Sequence, residues 1–290
     1  MKFCHITPID HLDLVRGRNS HLTLAHIVSG MEGSPEQVQA YCDFYQEEKA
    51  LAGPDYINIM DNSAFELYKN QMPMFNPEEL LGLAKRVHAT HIVLPDHPAH
   101  PSMVTIDDAR RYAPIFKEAG FGTFFVPQSD IGDLEDLITS FAWAASSPLI
   151  DYIGVSILAV PNAYRCEKGN SLQRFNARWK FMNELYDRNL LQLAAQNGKK
   201  IHFLGMVDGP NEIPLVRDFH IDTWDSSAAV WYGLNGIKFD SSPTGAVNGK
   251  FEKEVDFNEK QGDNTSVRYN LAYIDKLCGG ENAKEYRSDD

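Results

Sequence analysis

The residues able to do chemistry lie where apolar runs stop. Tyr56-Ile57-Asn58-Ile59-Met60 reads as a buried strand, and Asp61 follows it directly. The stretch Asp61-Asn62-Ser63-Ala64-Phe65-Glu66 is the one around which the chain is organised. Further apolar runs end at Asp96, at Gln128, near Gly154, at Gly205 and at Asp225. Two carboxylates on different strand ends, Asp61 and Asp225, can break a glycosidic bond: one attacks the anomeric carbon and the other moves protons. Phe65 can stack on a planar base. Asp96 and Gln128 can read the edge of that base, because a carboxylate accepts from N–H groups and an amide donates to a carbonyl. Each residue also has a plain structural reading. An Asp at a strand end serves as a helix N-cap, as Asp225 before Ser226-Ser227 can. Phe65 fits a core, and Gln128 before Ser129-Asp130 fits a turn. A metal reading rests on His97-Pro98-Ala99-His100, with His88 and His91 nearby, since barrel hydrolases hold metals with His and Asp at strand ends. Against it, Pro98 keeps His97 and His100 off a regular helical face, and the first strand ends only in His26, without an HxH.

The elements that must position these residues are marked by their own start and stop signals. The segment to about residue 20 has no clear assignment, and His21–Val28 reads as the first strand. Ser34-Pro35-Glu36-Gln37 is a capping box with Pro in the first turn. It predicts a helix to about Ala50, broken by Gly53-Pro54 before the strand that ends at Asp61. Asn76-Pro77-Glu78-Glu79 opens a helix to about Val87, and His91–Leu94 is a strand. A helix opens at Thr105, a strand covers Gly122–Gln128, a helix Asp133–Ala145, and a strand Asp151–Ile157. After a polar loop over about 159–171, one long helix runs to Gln196, where Asn197-Gly198 stops it. Lys200–Gly205 is a strand, Asn211–Phe219 a short helix disturbed by Pro214, and Ile221–Asp225 a strand. Ser226–Tyr232 is helical, and Gly236–Phe239 reads as the last strand. About eight strands alternating with helices imply an α/β chain with a parallel sheet. Such a set closes as a (β/α)8 TIM barrel, with its active site at the strand C-termini; a doubly wound open sheet is the alternative. Residues 1–245 form the barrel in this reading. Residues 246–290 are a polar C-terminal extension, with a short helix over Tyr269–Leu277 and a frayed tail over Gly279–Asp290. No GxGxxG or GxxxxGK[ST] phosphate-cradling loop is present.

Composition narrows the class. The 290 residues carry a formal net charge of −13, which argues against a broad nucleic-acid-binding surface and leaves room only for a local basic groove. Arg165, Lys168, Arg174, Arg178 and Lys180, with Tyr164 and Phe175 interleaved, are the candidate groove, and Arg16 with Arg18 is a second candidate; a solvated helix face is the plain alternative. The cysteines Cys4, Cys42, Cys166 and Cys278 are scattered without a CxxC pair, so neither a zinc ribbon nor a disulfide framework is indicated and a reduced, cytoplasmic setting is expected. No apolar run approaches the roughly 20 residues of a membrane helix, and Met1–His5 lacks a signal-peptide apolar region.

Over roughly residues 20–240 the chain resembles the tRNA-guanine transglycosylase superfamily, and most closely its phage-encoded members that exchange guanine in DNA for a 7-deazaguanine. The family's Asp-Ser-Gly-Gly-Phe-Gln stretch is matched by Asp61–Glu66. Its base-recognising Asp is matched by Asp96 in Val93-Leu94-Pro95-Asp96, and its Val-Gln-Gly segment by Val126-Pro127-Gln128. The strand-end glycine near the 7-substituent is matched by Gly154 in Tyr152-Ile153-Gly154-Val155. Leu-Met-Gly-Val-Gly, under the base, resembles Phe203-Leu204-Gly205-Met206-Val207. Ile-Asp-Met-Phe-Asp resembles Ile221-Asp222-Thr223-Trp224-Asp225. Two departures stand out. The family's zinc site of three Cys and a His after the nucleophile is absent, with only Cys278 downstream. Ser63-Ala64 replace paired glycines, so the pocket edge is expected to differ.

The resemblance implies a barrel enzyme in which Asp225 is the nucleophile, Asp61 the proton-transfer group and Phe65 the stacking platform, with Asp96, Gln128, Gly154, Leu204 and Gly205 around the base. The implied reaction is a ping-pong exchange through a covalent Asp–sugar intermediate, with no metal or redox cofactor. Its partners are double-stranded or locally opened DNA and a free 7-deazaguanine such as 7-cyano-7-deazaguanine (preQ0), with no membrane and a homodimer left open. The biological consequence is protection of phage DNA from restriction, in a host cytoplasm. Alternatives are a tRNA-guanine transglycosylase, a guanine-releasing glycosidase, and a non-catalytic barrel that binds a deazapurine or nucleic acid.

Overall fold

The structure is a computed structural model that describes residues 1–207, 209–240 and 254–279. Eight parallel strands, β1 (Lys2–His5), β2 (Ser20–Leu24), β3 (Ile57–Asp61), β4 (His91–Val93), β5 (Gly122–Phe125), β6 (Tyr152–Val155), β7 (Lys200–Phe203) and β8 (Thr223–Ser226), form one sheet in the order β1-β8-β7-β6-β5-β4-β3-β2. Helices lie between successive strands from β2 to β8, and the whole is a (β/α)8 TIM-type barrel. The ladder is interrupted once, where β1 and β2 lie side by side without strand pairing. β2, β6 and β8 are buried along their whole length, as expected of parallel strands covered on both faces.

Local signals in the sequence were reliable guides to the helices. Pro35–Ala52 begins with both halves of its capping box formed, Gln37 N donating to Ser34 Oγ at 3.3 Å and Ser34 N to Gln37 Oε1 at 2.9 Å. Asn76 caps Pro77–Arg86 through Glu78 N, and Asp133 caps Leu134–Ser146 through Asp136 N. The long helix expected before Gln196 is two, Ser171–Asp187 and Leu190–Gln196, because Asn189 between them takes a left-handed φ of 59°.

Three expectations are corrected. The first strand is not His21–Val28: it ends at Leu24, and Ala25–Val28 is a helical turn. The barrel begins earlier, at β1, a short strand too mixed in polarity to stand out by pattern alone. Gly236–Phe239 is not a barrel strand, because β1 already occupies the free side of β8. Instead Gly236 turns the chain with a φ of 75°, and Asn270 holds the segment, accepting from Phe239 N at 2.7 Å and donating to Ile237 O at 2.9 Å.

The C-terminal region is also more than an appendage. Helix Asn264–Leu277, capped by Asp263, packs on Ala228–Leu234 and reaches β1. The expected frayed tail, apart from Gly279, and the polar stretch over 247–253 lie outside the described residues. Among the described residues, no helix is long and apolar enough to cross a membrane.

Candidate active site

The C-terminal ends of the strands open into a cleft of about 390 Å³. Asp61, Phe65, Glu66, Leu204, Gly205 and Asp225 border it. It leads into a narrow slot of about 60 Å³ bordered by Asp61, Phe65, Asp96, Gln128, Ser156 and Leu204. On the outer side a groove of about 650 Å³ is bordered by Phe65, Tyr68, Lys69, Lys168 and Arg174. Phe65 touches all three spaces and is 44% exposed, so it stands at the rim and not in the core.

Asp225 is a strand residue of β8, and its hydrogen bonds among the described residues fall on Oδ1: His202 Nε2 lies at 2.8 Å and Gly205 N at 3.2 Å. It is not a helix cap; Ser226 Oγ accepts from Ala228 N in that role. Asp61 ends β3 and accepts from Ser63 N at 2.6 Å, so it does shape the turn behind it. Burial, reinforced by the charges of Glu66, Asp225 and Asp96, pushes its carboxyl well above the usual range. Ser63 itself adopts a left-handed φ of 58°, a conformation that costs a non-glycine residue roughly 1–2 kcal/mol. His26 holds it there, Nδ1 and the backbone N contacting Ser63 Oγ at 2.8 and 3.1 Å.

In the slot, Asp96 is buried and held from both sides, by Asn62 Nδ2 at 2.7 Å and Gln128 Nε2 at 2.5 Å. Burial raises its pKa, against the pull of those two donors. One N–H of Gln128 Nε2 is therefore taken by Asp96, while Gln128 Oε1 is buried with no hydrogen-bond partner among the described residues. An orphaned buried acceptor is costly, and an N–H group of a ligand in the slot would satisfy it.

Leu204 and Gly205 reach the cleft as expected, and the reason is Arg178. Its guanidinium lies fully buried under the loop after β7 and donates to the carbonyls of Val155, Leu204 and Gly205 at 3.1, 3.3 and 2.9 Å. It also stacks over Phe203 with 4.3 Å to the ring centre. Arg178 is thus a prop for the site, not a surface contact for nucleic acid. Gly205 takes a φ of 68°, and a Cβ there would meet Ile157 Cδ1 at 3.0 Å.

Of the other candidates, Lys168 and Arg174 border the outer groove, with Arg174 Nη2 donating to Ile157 O at 2.9 Å. Arg165 is exposed but lies against Gly132, away from the groove lining. Gly154 does not border the cleft or slot. A Cβ on it would meet Phe124 Cε1 at 2.6 Å and Leu204 Cδ1 at 2.9 Å, so its role is to admit those side chains. The histidines of the metal reading are used locally: His97 Nε2 contacts Asp108 at 2.7 Å and His100 Nδ1 contacts Pro98 O at 2.9 Å. Among the described residues no three His, Cys, Asp or Glu side chains gather at metal-holding geometry.

Several site residues escaped sequence reading. Glu66 and Glu32 border the cleft; burial pushes Glu66 up to about 7, and it raises Glu32 as well. Asn62 lies inside the central stretch but had no role until its contact with Asp96 was visible. His202 is the clearest omission, although a signal exists: His202, and Thr223 with Asp225, occupy inward positions of neighbouring strands. Val255 and Phe257, from the segment after the barrel helices, close one side of the cleft, and Lys69 Nζ pairs with Glu254 there at 2.7 Å. The chain matches no family model and no curated protein.

Proposed function

We propose that the protein is a DNA guanine transglycosylase that exchanges guanine for a 7-deazaguanine base through a covalent Asp225–sugar intermediate. The observation that carries the reading is the pairing of two carboxylates, Asp61 and Asp225, across one cleft that opens into a slot with a buried acceptor on Gln128 that has no partner among the described residues. Phe65 at the mouth of the slot suits stacking on a planar base.

The target nucleotide must leave the duplex stack, because C1′ cannot be attacked inside it. A lone pair on Asp225 Oδ2 forms a bond to C1′, the C1′–N9 bond breaks, and its electron pair goes to guanine. Asp61, whose raised pKa favours the protonated form, supplies the proton that the leaving base needs. In the second half the incoming 7-deazaguanine loses its N9 proton to Asp61. N9 then bonds to C1′, and the C1′–Oδ2 bond breaks to return the carboxylate. Exchange of guanine in phage DNA would shield it from restriction.

The test is an incubation with guanine-containing duplex DNA and 7-cyano-7-deazaguanine, followed by digestion and mass spectrometry, with tRNA in parallel. Modified deoxynucleoside with unmodified tRNA is the expected result. Modified tRNA would move the substrate to RNA, and free guanine without incorporation would make the protein a hydrolase. Asp225→Asn should abolish any covalent DNA adduct; an adduct trapped in that variant would overturn the assignment of the nucleophile.

A further inference from the structure

His202 lies on β7 directly opposite Thr223 of β8 and is completely buried. Its Nε2 is 2.8 Å from Asp225 Oδ1, and its Nδ1 is 2.7 Å from Thr223 Oγ1. The Phe124 ring packs edge-on to the imidazole with 5.2 Å between ring centres. An ionised carboxylate can only accept, so Nε2 must carry the proton. In the neutral ring Nδ1 is then an acceptor, and the Thr223 hydroxyl fills it as a donor. The order Thr223–His202–Asp225 therefore fixes both the ring plane and the tautomer.

We infer that His202 is a positioning residue that aims Asp225 at the sugar, with Thr223 setting its tautomer; this rests on the base-exchange reading above. A carboxylate on a short side chain can rotate and present either oxygen. Donors from His202 and from Gly205 N both fall on Oδ1, which holds the carboxylate plane and leaves Oδ2 for the bond to C1′. When the C1′–Oδ2 bond breaks in the second half-reaction, negative charge returns to a group whose Oδ1 already faces two donors. Such preset donors act where charge develops and need no rearrangement. His202 borders neither the cleft nor the slot, so it has no contact through which to bind the incoming base.

The test compares His202→Phe, His202→Gln and Thr223→Val with the wild type, reading kcat, KM for 7-cyano-7-deazaguanine, and the yield of DNA–protein adduct. Phenylalanine keeps a planar ring without the donor; glutamine's amide restores an N–H near the Nε2 position. Loss of aim should lower kcat of His202→Phe on the order of 100-fold, with KM for the base unchanged. His202→Gln should recover most of that loss. Thr223→Val, nearly isosteric and the safeguard should His202→Phe not fold, should lower kcat with KM unchanged. Wild-type kcat in a folded His202→Phe or Thr223→Val would overturn the role, as would equal losses in folded His202→Phe and His202→Gln. Wild type that exchanges no base would instead overturn the base-exchange reading, and this assignment with it.

Discussion

Glu66 on the rim of the cleft changes charge near neutrality. Burial first, then the charges of Asp225 and Glu32, raise its pKa from 4.5 to about 7. A carboxyl with a raised folded-state value takes up a proton on folding, so its contribution favours the folded state at low pH. That contribution fades as pH climbs from the unfolded value through about 7. Glu66→Gln, which cannot ionise, should therefore raise the melting temperature at pH 8 and leave it nearly unchanged at pH 4. A thermal melt at the two pH values checks this, and a shift of equal size at both would contradict it. At this scale the sequence showed which residues could act, because Asp61, Asp96, Gln128 and Asp225 each end an apolar run. It did not show what each is bonded to: Asn62 and Gln128 meet on Asp96 from different strand ends, and His202 meets Asp225 across a strand pair.

The elements were legible where the signal is local. Ser34-Pro35-Glu36-Gln37 fixes a helix start through bonds within four residues, and the structure makes those bonds. β1 had no assignment and Gly236–Phe239 was misread because strand membership depends on a neighbour, and the neighbour of β8 is the first strand of the chain. The same dependence governs the last helix. Gly233 in Ala228–Leu234 lies so close to Asn264–Leu277 that a Cβ would come within 2.5 Å of the Val267 Cα. Backbone cannot yield as a side-chain end can. Gly233→Ala should thus push the two helices apart and cost about 1–3 kcal/mol, the usual range for overpacking. A urea titration measures it, and an unchanged midpoint would show that the helices separate freely. Arg178 is the other lesson at this scale: in a run of cations on a helix it read as a phosphate contact, yet its position faces the barrel and props the ends of β6 and β7.

For the whole molecule, the weak line is the seam between β1 and β2, which has no strand ladder. Polar contacts bridge it instead. Arg18, just before β2, makes two bonds to Asp275 on the C-terminal helix at 2.8 and 2.7 Å, and His5 Nε2 of β1 lies 3.5 Å from the same carboxylate. Both Arg18 and Asp275 side chains are only 7% exposed. Breaking such a pair strands a buried charge, so Asp275→Asn should cost about 3 kcal/mol or more, while the double change Arg18→Met with Asp275→Leu should recover most of it. Denaturant unfolding of the three proteins decides this; a mild effect of Asp275→Asn would mean the seam is held elsewhere. On the base-exchange reading, phosphates would meet Lys69, Lys168 and Arg174 along the outer groove. DNA affinity should fall steeply with salt, and Lys168→Ala should reduce the slope of log K against log salt by about one. A slope identical to wild type would remove Lys168 from the path of the strand.

By itself the sequence determined the α/β class, the alternation that closes into a barrel, most helix starts, and the gathering of Asp61, Asp96, Gln128 and Asp225 at one end of it. Those features follow from periodicity and from caps, which act over a few residues. Only the tertiary structure decided that β1 and the C-terminal helix complete the wall, that Arg178 is a buried prop, that Gly154 admits Phe124 and Leu204, and that His202 faces Asp225. Each of these depends on which distant segments become neighbours when the sheet curves; alternation along β7 and β8 marks His202 and Asp225 as inward residues but does not bring them together.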